Sequence, residues 1–421
     1  MRDFGAADLA GIHTIRSRFL ELAEIFDFEL IEPSPIEATS TLEAKSGPAI
    51  RDEIYFFKDK GGRDVALRFD FTVGLTRHVA SQRSLRMPAR FASFGGVFRY
   101  DEPQKGRYRY FHQWNVETYG RSDVESEAEV IEFTARLFES LGLEDTIIDI
   151  SHRGLVESRI SEVFGSNEPA LIVDVLRAMD KAAKRPHQEI LDEFAKRNRD
   201  PKGLEEMLEM SSVAGLPKDV EEQLDVAGLD SWDHLTTLFE SLHNRDVRNA
   251  RINLAIVRGL DYYSGTVFEV FDTSSAAALA GGGRYDGLAR AFGRDDLGAV
   301  GVAGGVERTM LAMRSRGMAP APQHPETAIL YTEQSMRSEA VKIASTLRRK
   351  RIPVRIDLSK RPLRKQISHA SDSKRAVIVG PAEIRKGMVI LRDMEARTES
   401  QVPLKTLLSE PVASLRLQRP E

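Results

Sequence analysis

The stretch FRYDEPQKGRYRYFHQWNVETYG, residues 98–120, places a group of arginines around a short loop between two predicted strands. Arg99 lies at the end of the first strand, and Arg107 and Arg109 flank the tip of the loop. A guanidinium group makes bidentate contacts with phosphate oxygens and keeps its charge, so arginines that converge on this hairpin can hold a triphosphate. A charged surface loop with no ligand is the alternative, and the hairpin alone does not exclude it.

The strand after this loop carries polar side chains on one face. Residues two apart on a strand share a face, so Gln113 and Glu117 point to the same side. By the same rule, Asp70 and Thr72 of LRFDFT share a face of a predicted strand. Buried polar groups are costly unless they are paired, so their repetition predicts a polar pocket on a sheet. A solvated sheet face explains any one pair equally well, but it explains the accumulation of pairs less well.

Three further segments carry side chains suited to a ligand. In VRGLDYY, Arg258 precedes Tyr262 and Tyr263, and a cation with two hydroxyl-bearing rings suits a carboxylated ligand that contains a ring. Core tyrosines with satisfied hydroxyl groups are the alternative. GGGRYDGL by itself indicates only a tight turn. Arg308, early in the predicted helix of GGVERTMLAM, can reach a phosphate or stack on a flat base.

The composition excludes several classes of site. The chain has 421 residues and no cysteine, which excludes disulfides, thiolate zinc sites and cysteine nucleophiles. Its nine histidines form no HExxH pair, so we expect no structural metal. No GxxxxGK[ST] sequence is present, which excludes a P-loop. No apolar run is long enough to span a membrane and the N-terminus does not resemble a signal peptide, so we expect a cytoplasmic protein with no membrane partner.

The elements that must position these residues fall into several regions. Residues 1–151 and 250–319 alternate irregularly between strands and helices, which predicts an antiparallel sheet covered by helices. Residues 152–249 are almost wholly helical in pattern, which indicates an insertion. After the proline-rich linker at 320–325, residues 326–421 predict a small α/β domain with a mainly parallel sheet.

Charge is distributed unevenly between these regions. Residues 325–421 contain 20 Lys and Arg against 11 Asp and Glu, a net charge of +9, whereas residues 1–324 carry −13. Clustered cations gain from neutralising phosphates, so the basic module suggests a polyanionic partner. A solvated basic face is the alternative.

Taken together, these motifs identify a family. FRYDEPQKGRYRYFHQWNVETYG resembles the second signature motif of class II aminoacyl-tRNA synthetases, in the version found in the histidyl-tRNA synthetase family. VRGLDYY is similar to that family's histidine-recognition motif, GGGRYDGL to its glycine-rich stretch and GGVERTMLAM to the third class II motif. The motifs occur in the family's order. The resemblance implies an α+β fold with an antiparallel catalytic sheet, a helical insertion and a C-terminal anticodon-binding domain of the class IIa type.

The resemblance also implies which residues bind histidine. Glu117 and Tyr263 would hydrogen-bond the imidazole, and Tyr262 would help to shape the same wall. Arg99 and Arg258 also belong to the implied histidine site. The α-amino group would be held by Asp70, Thr72 and Gln113.

A second implied set binds ATP. Arg99 would grip the α-phosphate, and Arg258 would bridge that phosphate and the histidine carboxylate, which makes these two the candidate catalytic residues. Arg107 would hold the outer phosphates, and Arg308 the γ-phosphate with its plane against adenine. Asp101 is a candidate near the adenine. Mg²⁺ would be bound mainly through ATP.

The implied reaction is the ATP-dependent ligation of histidine to tRNA(His) through a histidyl adenylate, with release of AMP and diphosphate, by a homodimer. The basic module resembles an anticodon-binding domain, and its candidate tRNA contacts are Lys360, Arg361, Arg364 and Lys365. The main alternative is a paralogue that serves as regulatory subunit of ATP phosphoribosyltransferase in histidine biosynthesis. Such paralogues generally lack the C-terminal module and parts of the arginine set. Another class II specificity is disfavoured by VRGLDYY together with Glu117.

Overall fold

A computed structural model describes residues 2–100, 108–120, 123–182, 185–197, 199–257, 263–273, 277–320, 325–358 and 361–415. The chain divides into two compact units, Met1–Ala321 and Pro322–Glu421.

The first unit combines a large sheet, a small sheet and helices. Its strands are β1 (Glu29–Leu30), β2 (Ile36–Ala38), β3 (Phe56–Lys58), β4 (Asp64–Leu67), β5 (Ala89–Phe98), β6 (Tyr110–Gly120), β7 (Ile147–His152), β8 (Ala214–Gly215), β9 (Ala250–Asn253), β10 (Thr266–Phe271), β11 (Ala278–Arg284) and β12 (Gly298–Gly305). Its helices are α1 (Ala6–Ile25), α2 (Thr39–Ser46), α3 (Thr72–Ser81), α4 (Val124–Ser140), α5 (Arg153–Phe164), α6 (Pro169–Ala182), α7 (His187–Ala195), α8 (Pro201–Met210), α9 (Pro217–Glu221), α10 (Asp230–Asn244) and α11 (Val306–Ser315).

Within the described ranges, nine strands form one sheet in the order β1-β5-β6-β12-β11-β10-β7-β9-β8. The pairs β1–β5 and β7–β9 are parallel, and the other neighbours are antiparallel. This arrangement, with a separate C-terminal sheet, confirms the predicted fold class. The smaller sheet, in the order β2-β4-β3, contains the hairpin predicted around KDKGGRD.

The two faces of the large sheet have different environments. Trp114 and Val116 of β6 are fully buried in the main core, where Phe19 of α1 and Phe133 of α4 pack against Trp114. Successive side chains of a strand point to opposite faces, so Gln113, Asn115 and Glu117 lie on the other face. This face positions the polar residues described below.

The prediction that LRFDFT is a strand throughout is wrong. β4 ends at Leu67, and Thr72 is the first residue of α3. The cause is Arg68, which is only 4% exposed and whose guanidinium donates to the carbonyl of Pro33 (2.5 Å) rather than pointing into solvent. A buried cation needs acceptors around it, so the chain leaves the strand there. Asp70 then accepts a hydrogen bond from a backbone amide in the first turn of α3.

The second unit has a five-stranded sheet with helices. Its strands are β13 (Thr327–Tyr331), β14 (Val354–Ile356), β15 (Arg375–Val379), β16 (Met388–Asp393) and β17 (Glu399–Pro403), and its helices are α12 (Arg337–Arg349), α13 (Leu363–His369), α14 (Pro381–Arg385), α15 (Leu404–Ser409) and α16 (Pro411–Ser414). The order is β14-β13-β15-β16-β17.

The prediction of a mainly parallel C-terminal sheet is wrong for its second half. The pairs β13–β14 and β13–β15 are parallel, whereas β15–β16 and β16–β17 are antiparallel. A parallel connection needs a crossover of a dozen or more residues. Only five residues separate β16 from β17, so these strands form a hairpin.

No helix in the described part of the chain is long and apolar enough to cross a membrane.

Candidate active site

A ladder of hydrogen bonds runs along one face of β6. The Gln113 amide nitrogen donates to Asn115 Oδ1 (2.7 Å), and the Asn115 amide nitrogen donates to Glu117 Oε1 (3.1 Å). All three side chains are at most 3% exposed. Because buried polar groups need partners, the ladder fixes the orientation of each side chain before any ligand binds.

Glu117 stands at the lower end of this ladder and accepts hydrogen bonds from other elements. Thr72, at the start of α3, donates its hydroxyl to Glu117 Oε1 (2.7 Å). The Tyr285 hydroxyl, which follows β11, donates to Glu117 Oε2. The carboxylate is therefore held by donors from three parts of the chain, and these hydrogen bonds fix its orientation.

Two tyrosines near Glu117 are kept neutral. Burial, together with the negative charge of Glu117, raises the pKa of Tyr119 well above its ordinary value, and the same causes raise the pKa of Tyr263. Tyr119 shares a hydrogen bond with the Thr76 hydroxyl (3.1 Å). Because both phenols stay protonated at neutral pH, they remain able to donate hydrogen bonds in this cavity.

Arg99 joins the upper end of the ladder. Its guanidinium donates to Gln113 Oε1 (3.4 Å) and to the Phe69 carbonyl (3.1 Å), and it lies 5.2 Å from the centre of the Phe111 ring. Arg99 and Glu117 therefore belong to one hydrogen-bonded face of the sheet. A fixed cation and a fixed carboxylate at opposite ends of one hydrogen-bonded row can bind a ligand that carries both an anionic and a hydrogen-donating group, and the space beside this row is the candidate cavity.

Glycines lie beside Glu117 on the next two strands of the sheet. Gly301 of β12 pairs with Glu117 across the sheet, and Gly283 of β11 pairs with Gly301. A side chain at Gly301 would overlap Glu117 Oε2 and approach the Val116 carbonyl to 2.8 Å. The bare backbone therefore makes room for the Glu117 carboxylate.

We expect Gly301→Ala to damage both the pocket and the fold. The added methyl group has no space, and overpacking of this kind costs about 1–3 kcal/mol of unfolding free energy. Displacement of Glu117 should also lower kcat/KM for the cavity's ligand at least about tenfold, since 1.4 kcal/mol of lost binding corresponds to that factor. Chemical denaturation and steady-state kinetics measure the two effects.

The matched control is Gly305→Ala on the same strand, where a Cβ would meet its nearest atom, Arg308 Cδ, at an ordinary 3.7 Å. Equal stability of the two alanine variants would contradict the steric argument.

Tyr263 is positioned by the first residue of α5. The Arg153 guanidinium donates to the Tyr263 carbonyl (2.8 Å) and to Glu157 (2.7 Å). On its other side, a Cβ at Gly283 would lie only 2.9 Å from the Tyr263 ring. The helical region that begins at α5 therefore helps to position Tyr263.

Arg308 lies in the first turn of α11, which follows β12. Its guanidinium donates to the Ala278 carbonyl at the start of β11 (2.9 Å). The preceding Glu307 is buried and accepts from the His112 backbone amide (3.0 Å) and contacts the His112 ring nitrogen (2.9 Å). These contacts tie the start of α11 to β6, so Arg308 has a defined position at the same end of the sheet as Arg99.

Of the candidate site residues, the structure brings Thr72, Gln113 and Glu117 into one network, with Arg99 at its end. Five candidates lie outside the described residues, so the structure makes no statement about them: Asp101, Arg107, Arg258, Tyr262 and Lys360.

Sequence reasoning missed three residues of the site. Asn115 could have been found, because it lies between Gln113 and Glu117 at the same two-residue spacing. Tyr285 is part of GGGRYDGL, but nothing in that motif indicates that its hydroxyl reaches a strand two positions away in the sheet. Gly301 has a weak signal in GAVGVAGG, where small residues recur on both faces.

A second polar cluster lies near the start of β10 and is separate from the cavity. Buried Glu127 of α4 accepts from Thr266 (2.6 Å) and contacts the His234 ring of α10 (2.7 Å), and Arg284 approaches it to 4.0 Å. The His234 ring packs against His152, with ring centres 5.2 Å apart. Burial and the nearby charges of His234 and Arg284 lower the pKa of His152 to about 4.

We therefore expect the free energy of unfolding to fall as the pH is lowered from about 6.5 to 4. In this range the unfolded chain binds a proton at residue 152 and the folded chain does not, so stability increases with pH. The effect of this group is on the order of 3 kcal/mol. His152→Asn should remove that part of the slope, because an amide oxygen can still accept from the Gly154 amide, as His152 Nδ1 does at 3.1 Å.

Denaturant unfolding at several pH values measures the slope, and His13→Asn, at an exposed position of α1, is the control. Identical slopes for wild type and His152→Asn would contradict the assignment.

In the second unit, the described cationic candidates lie at the start of α13. Arg361 precedes the helix, Arg364 and Lys365 are in its first turn, and all three are exposed. Arg361 also lines a cavity of about 240 Å³ beside β13 and β14. Lys374, before β15, forms an exposed ion pair with Glu326.

Comparisons with known proteins agree on one family. A family model described as Histidyl-tRNA synthetase matches residues 1–309, and a model described as Anticodon binding domain matches residues 326–412. The chain is 31% identical to the Histidine–tRNA ligase of Pyrococcus furiosus over 419 residues, covering 97% of this chain and 96% of the relative. It is 33% identical to that of Pyrobaculum neutrophilum, covering 96% of both. The crystal structure of histidyl-tRNA synthetase from Nostoc sp. PCC 7120 has a similar fold, with a TM-score of 0.80, 22% identity and coverage of 98% of both chains.

Proposed function

The chain belongs to the histidyl-tRNA synthetase family, and we propose that it ligates histidine to tRNA(His) through a histidyl adenylate, with release of AMP and diphosphate. The observation that carries this function is the hydrogen-bonded face that joins Arg99 to Glu117. It offers a cation for a phosphate and a carboxylate for an imidazole N–H within one cavity. We retain the division into catalytic regions 1–151 and 250–319, a helical insertion and a C-terminal anticodon-binding domain as part of the proposal.

Histidine is selected by Glu117 in this proposal. The carboxylate accepts a hydrogen bond from the imidazole N–H, and the protonated Tyr263 phenol donates to the other ring nitrogen. A competing amino acid with an apolar side chain of similar size would leave these buried groups without hydrogen-bond partners. The free-energy cost of unpaired buried polar groups rejects such a substrate strongly. We assign Asp70, Thr72 and Gln113 to the α-amino group, and Tyr262 to the same wall as Tyr263.

Adenylation follows from positioning and charge. A histidine carboxylate oxygen forms a bond to the α-phosphorus of ATP while the bond to the bridging oxygen breaks and diphosphate leaves. Negative charge develops on the phosphate oxygens, so arginines fixed beforehand supply most of the stabilisation. Arg99 serves the α-phosphate, Arg258 the carboxylate and α-phosphate, and Arg107 and Arg308 the outer phosphates. Asp101 is assigned to the adenine side.

ATP enters together with Mg²⁺, which neutralises phosphate charge as part of the substrate. The terminal ribose hydroxyl of tRNA then attacks the histidyl carbonyl of the adenylate, so an ester forms and AMP leaves.

The C-terminal unit would hold the tRNA. We assign phosphate contacts to Lys360, Arg361, Arg364 and Lys365, because the described members of this group are exposed cations at one helix start. Replacing Arg364 and Lys365 together should weaken tRNA binding and make it less dependent on salt. An unchanged salt dependence would remove these residues from the interface.

We also propose a homodimer located in the cytoplasm, where translation takes place. Exposed apolar side chains in the first unit, among them Ile25 (68%) and Leu30 (54%), are consistent with a covered face. Sedimentation of the purified chain at the monomer mass would contradict the dimer.

The regulatory-paralogue alternative is disfavoured. Relatives named Histidine–tRNA ligase are matched over nearly their full length, and the anticodon-binding model matches the C-terminal unit.

Histidine-dependent exchange of labelled pyrophosphate into ATP tests the proposed function. The purified protein with Mg²⁺ should catalyse exchange with histidine and with none of the other nineteen standard amino acids. Folded protein that exchanges with no amino acid would contradict the enzyme assignment, and exchange with a different one would contradict the role of Glu117.

A further inference from the structure

A short segment, residues 2–5, precedes α1 and packs against the start of β6, and we call this segment the arm. The Phe4 ring meets the Tyr110 ring edge-on, with ring centres 6.0 Å apart, and meets the His112 ring in the same way at 5.2 Å. Tyr110 and His112 are two residues apart on β6, so they share one face of the strand. The arm is therefore seated on a single face of β6.

This face lies behind the ladder. Successive residues of a strand point to opposite faces, so Phe111 and Gln113 lie on the face away from the arm. Arg99 contacts both of these side chains from the ladder side. Its backbone amide also donates to the Arg109 carbonyl (2.9 Å), directly before Tyr110. A shift of Tyr110 would therefore also move the backbone that carries Arg99.

The Tyr110 ring is held between the arm and β5. A Cβ at Gly96 would overlap the Tyr110 ring, so the ring lies directly over that glycine. The ring of Phe98 packs beside it, with centres 5.0 Å apart. Phe4 contacts the same ring from the arm. Removing the Phe4 ring would therefore leave Tyr110 supported by β5 alone.

The arm is itself anchored by charges. The Arg2 guanidinium lies 4.7 Å from the centre of the Tyr108 ring and donates to Asp8 in the first turn of α1 (2.9 Å). Arg314 of α11 donates to the other carboxylate oxygen of Asp8 (2.7 Å). The hydrogen bonds from Arg314 and Arg2 hold the pKa of Asp8 below its ordinary value, so the carboxylate stays charged at neutral pH. Asp8 thus ties the arm to α11.

These contacts close a ring around the two described arginines that are assigned to phosphates. The last turn of α11 binds Asp8, and at the start of α11 the buried Glu307 binds His112, on which Phe4 packs. Arg308 follows Glu307 directly in the chain. The arm therefore braces the arginine-rich hairpin and the helix of Arg308 against each other.

We propose that Arg2 and Phe4 are positioning residues for ATP, an inference that rests on the proposed function. They act from behind the ladder by holding the hairpin and the start of α11, so that Arg99 and Arg308 have fixed positions before ATP binds. Charges that are fixed in advance need no reorganisation when the triphosphate arrives. Glu117, at the histidine end of the ladder, is held by donors from other elements, so histidine binding should not depend on the arm.

Histidine-dependent pyrophosphate exchange at varied ATP and varied histidine tests this role. Phe4→Ala should raise KM for ATP about threefold to tenfold, the factor that corresponds to losing its aromatic contacts. KM for histidine should stay within about twofold. Phe4→Tyr keeps the ring and should keep KM for ATP within about twofold of wild type. Adding Arg2→Gln to Phe4→Ala should raise KM for ATP further, because the second anchor of the arm is lost.

Phe4→Leu, which fills similar space without a ring, should show the same rise in KM for ATP if Phe4→Ala is too unstable to assay. The matched control is Phe26→Ala, just after α1, which removes a partly buried ring packed on Phe133 with ring centres 5.4 Å apart. It should lower stability and change neither KM.

A KM for ATP that is unchanged in Phe4→Ala and Phe4→Leu would overturn the proposal, even if both variants lose stability, because the arm would then serve only the fold. Equal rises of KM for ATP and for histidine would overturn it as well, since the arm would then support the whole site.

Calorimetric binding of ATP with Mg²⁺ gives the same comparison without turnover. Wild type that binds ATP more tightly than Phe4→Ala but exchanges pyrophosphate with no amino acid would contradict the proposed function and leave the role of the arm supported. Histidine-dependent exchange with equal ATP affinities in wild type and Phe4→Ala would support the function and overturn the role of the arm. Wild type that neither exchanges pyrophosphate nor binds ATP would contradict both.

Discussion

Replacing Glu117 by Gln should lower kcat/KM for histidine by about a hundredfold while leaving ATP binding nearly unchanged. The carboxylate is 1% exposed and accepts from Thr72, Asn115 and Tyr285, so it is held in one orientation. Glutamine has the same size but replaces one acceptor oxygen with a donor, and the loss of a hydrogen bond to a buried charge costs about 1.5–3 kcal/mol. Pyrophosphate exchange at varied histidine and ATP concentrations separates the two affinities.

The matched control for this variant is Glu129→Gln on α4, which breaks an ion pair with Arg90 (2.8 Å) on a partly buried surface. It should change stability without changing KM for histidine. Equal losses of histidine and ATP affinity in Glu117→Gln, with normal folding, would show that the residue supports the whole cavity rather than the imidazole.

The fold was predictable where local patterns decide it. Alternation along β6 predicts the shared face of Gln113 and Glu117, because the two-residue period of a strand is fixed by its backbone geometry. The arginine-rich hairpin and the basic C-terminal module are also visible as composition. These features depend on neighbours in sequence, which is why a single chain reveals them.

The remaining features depend on contacts between distant segments. The end of β4 is set by Arg68, whose acceptors lie more than 25 residues away along the chain. Tyr285 reaches Glu117 across 168 residues, and Arg153 reaches Tyr263 across 110. No periodicity encodes such pairs. The antiparallel pairs of the C-terminal sheet were missed for a different reason. The residue pattern of a short strand does not indicate whether that strand runs parallel or antiparallel to its neighbour.

The long-range contacts also explain why the cavity works as one unit. Its walls come from α3, β6, the residue after β11 and the start of α5, so each element constrains a different side chain. A charge that is held before the substrate arrives needs no reorganisation during the reaction. Removal of the fixed charge of Arg99, which is assigned to the phosphate and not to the imidazole, should therefore affect the rate more than the binding of histidine.

Arg99→Gln should show the largest effect on the rate. We expect kcat for histidine-dependent exchange to fall by roughly 10²–10³, which is the typical cost of removing one fixed hydrogen-bond donor that stabilises charge developing in the transition state. KM for histidine should change little, because the imidazole end of the cavity is held by Thr72 and Tyr285. Arg99→Lys keeps the charge but loses the fork that contacts both Phe69 and Gln113, so its kcat should lie between those of wild type and Arg99→Gln. Single-turnover formation of the adenylate measures the chemical step directly.

The control is Arg90→Gln on β5, which removes a partly buried arginine from an ion pair with Glu129 of α4. Arg90 pairs with Thr118 and therefore lies on the opposite face of the sheet from the ladder. It should lower stability with kcat unchanged. If Arg99→Gln and Arg90→Gln lost stability alike and both kept normal kcat, Arg99 would be a structural cation like Arg68, and the phosphate would have to be stabilised elsewhere. If Arg99→Lys recovers part of the rate that Arg99→Gln loses, the charge itself acts on the α-phosphate, because lysine restores the cation without restoring the fork to Gln113 and Phe69.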